Sequence, residues 1–253
     1  MTSDRVMLVT GASGSIGRVV AERAAADGWT VIAHGRTPGS AGKIAADIRE
    51  RLPEAHIVPA GCDFVEAGAI AHLVDRIADE QGRLDAVAHC AVSAPPGVTG
   101  AFAGTDPAHY TMLGHHAVTT LQWLCHAAFP LMARDGGGSL VAISSDAGRF
   151  AAPNQSLIAT TRAATMAFVR NVALEVARDR IRVNVVSATY VEDTAIMRLL
   201  EAGGSTRVAA ARRRAGLGLP HPGDIANIAL FLLGSGSTRL TGQVISVNGG
   251  LNS

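Results

Sequence analysis

The 253 residues carry 22 Lys+Arg against 21 Asp+Glu, a formal net charge of +1, and 48% of them are apolar. That length suits one doubly wound α/β unit, and the apolar content is enough to cover both faces of a buried sheet. Near-neutrality without a basic block argues against nucleic acid or an anionic membrane as partner, and apolar runs such as Ile228 to Leu233 are far too short to span a bilayer.

Charged Asp4 and Arg5 stand before the first apolar run, with no signal-peptide layout, so a cytoplasmic protein is expected. Cys62, Cys90 and Cys125 are odd in number and lack CxxC spacing; they read as buried free thiols in a reducing compartment. Lys43 is the only lysine; every other basic residue is arginine.

Taken in chain order, short apolar runs alternate with amphipathic stretches of helical length. The strands are expected near Val6–Val9, Thr30–Ala33, His56–Val58, Asp85–His89, Ser139–Ile143, Arg182–Val186 and Gln243–Val247. The helices are expected at Ile16–Asp27, Glu66–Glu80, Val118–Ala133, Gln155–Arg178 and Pro222–Leu232. Alternation of this kind predicts an α/β fold: a single Rossmann-type domain over residues 1–253, with a doubly wound, mainly parallel seven-stranded sheet. No repeat or linker divides it. The irregular stretch from Glu192 to Gly218 is helical and arginine-studded; it leaves the carboxyl end of a strand, where open sheets bind ligands, and is a candidate substrate lid.

The first strand runs into Thr10-Gly11-Ala12-Ser13-Gly14-Ser15-Ile16-Gly17, which opens the first helix. In that context glycines permit a tight turn and close backbone approach to a pyrophosphate, whose charge meets the helix N-terminus. The second strand ends in His34-Gly35-Arg36, without the acidic residue that would take a ribose hydroxyl. An arginine there pairs with a 2′-phosphate, which favours NADP(H), if a dinucleotide is bound at all; a solvated arginine is the alternative. No histidine or cysteine spacing suggests a metal.

These landmarks resemble the short-chain dehydrogenase/reductase family over nearly the whole chain. Thr10 to Gly17, Gly138 to Ser145, Arg180 to Val186, His221 to Ala226 and Leu240 to Gly250 carry the resemblance. Ser15 stands at a glycine position of the short pattern TGxxxGxG, so the loop fits the TGxxGxxG form instead. The resemblance assigns Thr10, Gly11, Ser13, Ser15, Ile16, Gly17, Arg36, Asp63, Ala91, Arg162 and Thr194 to the dinucleotide. It implies hydride transfer at a carbonyl or carbinol, with serine, tyrosine, lysine and asparagine as the reacting tetrad.

That tetrad carries over only at Ser145. Ile158 stands where the tyrosine belongs and Arg162 where the lysine belongs. The asparagine position falls on Ala117, or on His116 with a one-residue slip. The motif after the fourth strand reads His89-Cys90-Ala91-Val92, and Ala188-Thr189 replaces a Pro-Gly pair. Tyr190 is the candidate relocated acid; His89, His115 and His116 are weaker ones, and Tyr110 is expected to lie away from the cleft. The leading expectation is a redox-silent subunit in a dimer or tetramer, in some assemblies mixed with a tetrad-complete homologue. An NADP(H)-dependent oxidoreductase with a relocated acid, and a non-redox lyase, isomerase or cyclase, remain as alternatives.

Overall fold

The computed structural model describes residues 5–91 and 97–252. Seven strands form one sheet in the order β3-β2-β1-β4-β5-β6-β7, and every pairing is parallel. They are β1 (Val6–Thr10), β2 (Thr30–Gly35), β3 (Ile57–Gly61), β4 (Ala86–His89), β5 (Gly138–Ser145), β6 (Ile181–Ala188) and β7 (Val244–Val247). All five residues of β1 are buried. Both faces of the sheet are covered, and a Val/Leu-rich strand meets apolar partners either way it points.

Helices α1 (Ser15–Ala26), α2 (Pro38–Arg51) and α3 (Ala69–Gln81) flank the first half of the sheet. Three corrections to the expected elements follow from local chemistry. Helix α2 has no counterpart among the expected helices, because its opening Pro38-Gly39-Ser40-Ala41-Gly42 reads as a turn. A reciprocal cap starts it: Ser40 N–H donates to Thr37 Oγ1 at 3.2 Å, and Thr37 N–H to Ser40 Oγ at 3.0 Å. Helix α3 begins at Ala69, not Glu66, because Gly68 is left-handed at φ 79°. The fourth long helix begins eight residues before the expected Val118: α4 (Tyr110–Gly114) passes through one π turn (His115–Thr119) into α5 (Thr120–Arg134).

The second half of the sheet carries α6 (Ser156–Glu175), whose last turn gives way to a 3-10 turn at Ala177–Asp179, short of the expected Arg178 end. The arginine-studded stretch folds as two helices, α7 (Ala195–Ala202) and α8 (Thr206–Arg214), broken at Gly203-Gly204. Helix α9 (Pro222–Leu233) packs against α1 under the sheet. Among the described residues no helix is long and apolar enough to cross a membrane.

The C-terminal ends of β5, β6 and β7 are joined by one buried carboxylate. Asp146, directly after β5, is 0% exposed. It accepts hydrogen bonds from Ser187 Oγ of β6, Ser246 Oγ of β7 and Asn248 Nδ2, each at 2.6 Å. Charge-assisted bonds of this kind are roughly twice as strong as neutral ones, and removing their acceptor leaves three donors unpaired. Asp146→Ala is therefore expected to cost about 3 kcal/mol or more of folding stability, read as a lowered urea midpoint. A midpoint within error of wild type would show that the network adds nothing.

Candidate active site

The carboxyl ends of the strands carry two adjoining sites: a loop cradle at β1, β2 and β4, and a cavity at β5 and β6. In the cradle, Thr10 is fully buried and its Oγ1 accepts the N–H groups of Cys90 and Ala91, each at 3.1 Å. With its lone pairs engaged, its hydroxyl donates to Nδ1 of His89 at 3.0 Å. The Gly11 N–H donates to Nδ1 of His34 at 3.0 Å, so the other ring nitrogen carries the proton and donates to Cys62 O at 2.8 Å. His34 stacks on Phe64 at 4.1 Å. Two imidazoles thus fasten the glycine-rich turn to β3 and β4. Sequence reasoning weighed His89 only as an acid and gave His34 no role; a histidine at a strand end has no signature for bracing a loop.

The turn itself suits a pyrophosphate. Gly11 lies at φ 63°, and a Cβ there would sit 2.8 Å from the backbone of Ala91. Helix α1 is preceded by Gly14, which supplies no side-chain cap, leaving its N-terminal N–H groups for an anion. Ser13 is exposed, Ser15 and Ile16 are half-buried and Gly17 is buried around that end. Arg36 is exposed at the end of β2, and half-buried Asp63 accepts from Val65 N–H at 3.2 Å. Burial lowers the pKa of His116, as do the neighbouring His115 and Arg36, while Asp63 raises it. Val92, noted in the sequence, lies outside the described residues.

Helix α6 carries two of the four positions that the resemblance assigns to the tetrad. Ile158 is half-buried, one turn before Arg162. Gly148 lets this helix rest on the turn after Ser145: a Cβ there would lie 2.7 Å from Arg162 C and Ala163 N. Arg162 is 8% exposed, and among the described residues it has no hydrogen-bond partner. Burial pushes its guanidinium down to about 10, still protonated at neutral pH. Ala117 falls within the π turn, a feature frequent at functional sites, and its carbonyl accepts from Thr165 Oγ1 at 3.2 Å. An alanine side chain holds no water there.

A cavity of about 360 Å³ at Gln81 and Asp135 lies at the opposite end of the strands; the one that matters, about 340 Å³, opens beside Ser145. Ser145 and Tyr190 both line it, with α8 as the far wall. Ile158, Ala117 and Arg162 do not line it. Ser145 Oγ accepts from Ala147 N–H at a long 3.3 Å, which leaves its proton free for an acceptor. Thr194 is spent locally: its hydroxyl donates to Val191 O at 2.9 Å and caps α7 by accepting from Met197 N–H at 3.2 Å. Tyr110 shares a 2.6 Å bond with Thr105 and takes no part in the cavity. Among the described residues no cluster of three metal-binding side chains occurs.

Burial lowers His89 from 6.5 to about 3, helped by the neighbouring His34 and Arg162, and burial lowers His34 as well. His89 stays neutral in the folded protein while the unfolded chain takes up protons below 6.5, and His34 is shifted in the same direction. Stability is therefore lost as pH falls through 6.5 toward the folded values. By about pH 5 His89 alone costs about 2 kcal/mol. His89→Asn should flatten the fall in urea midpoint between neutral pH and pH ~5; equal slopes for both proteins would refute the assignment.

Residues 11–252 match the family profile described as Enoyl-(Acyl carrier protein) reductase. The chain is 30% identical to the uncharacterized oxidoreductase YmfI of Bacillus subtilis, covering 98% of both chains. It is 29% identical to a 1-cyclohexenylcarbonyl-CoA reductase of Streptomyces collinus, covering 99% of this chain and 89% of that one. A solved short-chain dehydrogenase/reductase of Mycobacterium ulcerans superposes with a TM-score of 0.90 at 26% identity, covering 98% of this chain and 90% of that one. With the parallel sheet, the glycine-rich turn opening α1 and the Ser145 strand end all in place, the chain belongs to the short-chain dehydrogenase/reductase family of oxidoreductases.

Proposed function

We propose that this chain is a redox-silent member of its family: it holds a nucleotide and a ligand but does not itself complete carbonyl reduction, and it works as one subunit of a dimer or of a tetramer that includes a tetrad-complete homologue. The observation that carries this reading is Ile158 on α6, one turn before Arg162. Bound dinucleotide would supply hydride; the alkoxide that results on the substrate needs a proton, and an isoleucine has none to give. Arg162 stabilises negative charge there but stays protonated near neutral pH. His89 is neutral and its ring is committed to Thr10. A missing general acid typically costs about 10²–10⁴-fold in rate. The exposed Trp123 on α5 and Leu174 on α6 are apolar surface suited to assembly with a second subunit.

A second reading has its own observation: Tyr190 and Ser145 line one cavity, so a phenol stands within the same space as the substrate-positioning hydroxyl. In that reading Tyr190 replaces the acid and the chain is an active NADP(H)-dependent oxidoreductase. NADPH consumption over a panel of ketones separates the two. The isolated chain is expected to show none, and Ile158→Tyr with Arg162→Lys to restore weak turnover that rises when Ala117→Asn is added. Robust wild-type turnover that collapses in Tyr190→Phe would replace the first reading with the second.

For the nucleotide we propose NADP(H), held by the α1 N-terminus, with exposed Arg36 against the 2′-phosphate and Asp63 near adenine. In a fluorescence titration Arg36→Ala should weaken NADPH about tenfold or more and leave NADH nearly unchanged. Equal losses for both would remove Arg36 as the selector.

A further inference from the structure

The wall of the Ser145 cavity contributed by α8 has an unusual composition. Four of its residues reach the cavity, Arg207, Ala210, Ala211 and Arg214. Their spacing of i, i+3, i+4 and i+7 puts them on one helical face. The two arginines stand two turns apart, about 10 Å along the helix axis, with only alanine methyl groups between them. Nothing bulky on that face fills the space the guanidinium groups bracket.

The neighbouring arginines behave differently. Arg212 donates to Glu192 at 2.6 and 2.7 Å and to Glu201 at 2.6 Å, which fixes α8 against the start of the segment and against α7. Arg213 does not line the cavity. Arg207 makes one long bond, 3.4 Å to Pro153 O, and keeps its other donors; Arg214 has no hydrogen bond or ion pair among the described residues. One carboxylate borders the cavity, Asp146, and it is fully buried with its oxygens taken by Ser187, Ser246 and Asn248. The charge a ligand meets in this space is therefore positive. The remaining lining combines apolar and aromatic residues, among them Phe150, Ala151, Tyr190 and Leu251, with the uncharged polar Ser145, Gln155, Thr189 and Asn252.

We propose that the cavity is an acid-binding site: it takes a small carbonyl or hydroxyl compound that also bears an anionic oxyacid group, gripped by Arg207 and Arg214, with the oxygen function directed to Ser145. A guanidinium presents a planar fork of donors that matches a carboxylate or phosphate, and both groups satisfy the same geometry. The volume lies at the small end of the range for small-molecule sites, which fits a compact acid. The inference rests on the cavity being a ligand site, as the functional reading holds, but not on whether the chain turns the ligand over.

The test is equilibrium binding by calorimetry and thermal shift on the full chain. The probes are 4-oxopentanoate, 5-oxohexanoate and 2-oxopentanedioate, each against its methyl ester, with dihydroxyacetone phosphate and inorganic phosphate alongside. Acids are expected to bind and esters not; each of Arg207→Gln and Arg214→Gln should weaken the acids about tenfold, and Arg213→Gln should leave them unchanged. Both target arginines are exposed on α8, and circular dichroism checks that the variants fold. Preference for the keto acids over both phosphate probes assigns a carboxylate; the reverse assigns a phosphate. No acid bound better than its ester, or acids bound equally well by the Arg207→Gln/Arg214→Gln double variant, would overturn the proposal. NADPH consumption with a bound acid would overturn redox silence and leave the acid site standing.

Discussion

The Asp146 carboxylate is the constraint from which the ligand side of this protein is built. It sits one residue past Ser145, with no exposure, and draws in side chains from β6, from β7 and from the turn that follows. Asn248, which it holds, in turn donates to Asn252 O at 2.9 Å and accepts from Gly250 N–H at 3.0 Å, so the C-terminal turn is ordered from the same centre. That turn pins one end of the α7–α8 excursion: Leu217 N–H donates to Gly249 O at 3.0 Å. The other end is tied where Glu192 N–H donates to Pro220 O at 2.8 Å. The position of α8, and with it that of Arg207 and Arg214, thus depends on this carboxylate and its donors together with the Arg212 bonds to Glu192 and Glu201 and the packing of Val208 and Ala211 against Leu251. Taking a carboxylate out of water is costly unless its oxygens are hydrogen-bonded, and here they are.

A parallel device organises the nucleotide side, built from uncharged groups. Burial holds His34 and His89 in the neutral form; His34 is oriented by one donor and one acceptor and His89 by the Thr10 hydroxyl, and together they hold the Gly11 turn against β3 and β4. A charged imidazole in either place would bring a desolvation cost, and at position 89 it would also repel Arg162. The two halves of the site therefore use histidine and arginine in distinct capacities. The histidines shape backbone, and the arginines supply field. Neither gives a proton up near neutral pH.

Strand content was legible in the sequence because the strands are buried on both faces and read as unbroken apolar runs, β1 most plainly. The glycine-rich turn was legible because its spacing is tied to a strand on one side and a helix on the other. What was hidden depended on partners distant in sequence. Helix α2 opens with two glycines and a proline, and only the Thr37–Ser40 cap in the folded chain turns that into a helix start. The excursion was recognised as helical and cationic, yet its arginines looked alike: the division between Arg212, bound to Glu192 and Glu201, and Arg207 with Arg214 on the cavity appears only once α8 is placed. Asp146 carried no sequence signal at all, since a lone carboxylate after a serine pair reads as the start of a loop. Ile158 and Arg162 were legible because each stands at a fixed offset from Ser145, whereas the asparagine position, counted back from Pro130, falls on Ala117 or His116.

The chemistry left at the cleft follows from which side chains surround it. Proton transfer near neutral pH needs a group whose pKa lies near the operating pH, and efficiency falls as the two part. Around α6 the groups are Arg162, at about 10 and deep in the protein, and Ile158, which does not titrate. Anion recognition needs the opposite: fixed, weakly hydrated cations with directional donors in a partly apolar space. Arg207 and Arg214 meet that description, and the alanines between them keep the space open. A buried cation such as Arg162, without a hydrogen-bond partner among the described residues, carries a desolvation cost that only an electron-rich neighbour offsets. Arg162 and Ile158 do not line the cavity itself, so the side chains that meet a ligand there include Ser145, Tyr190 and the two arginines of α8.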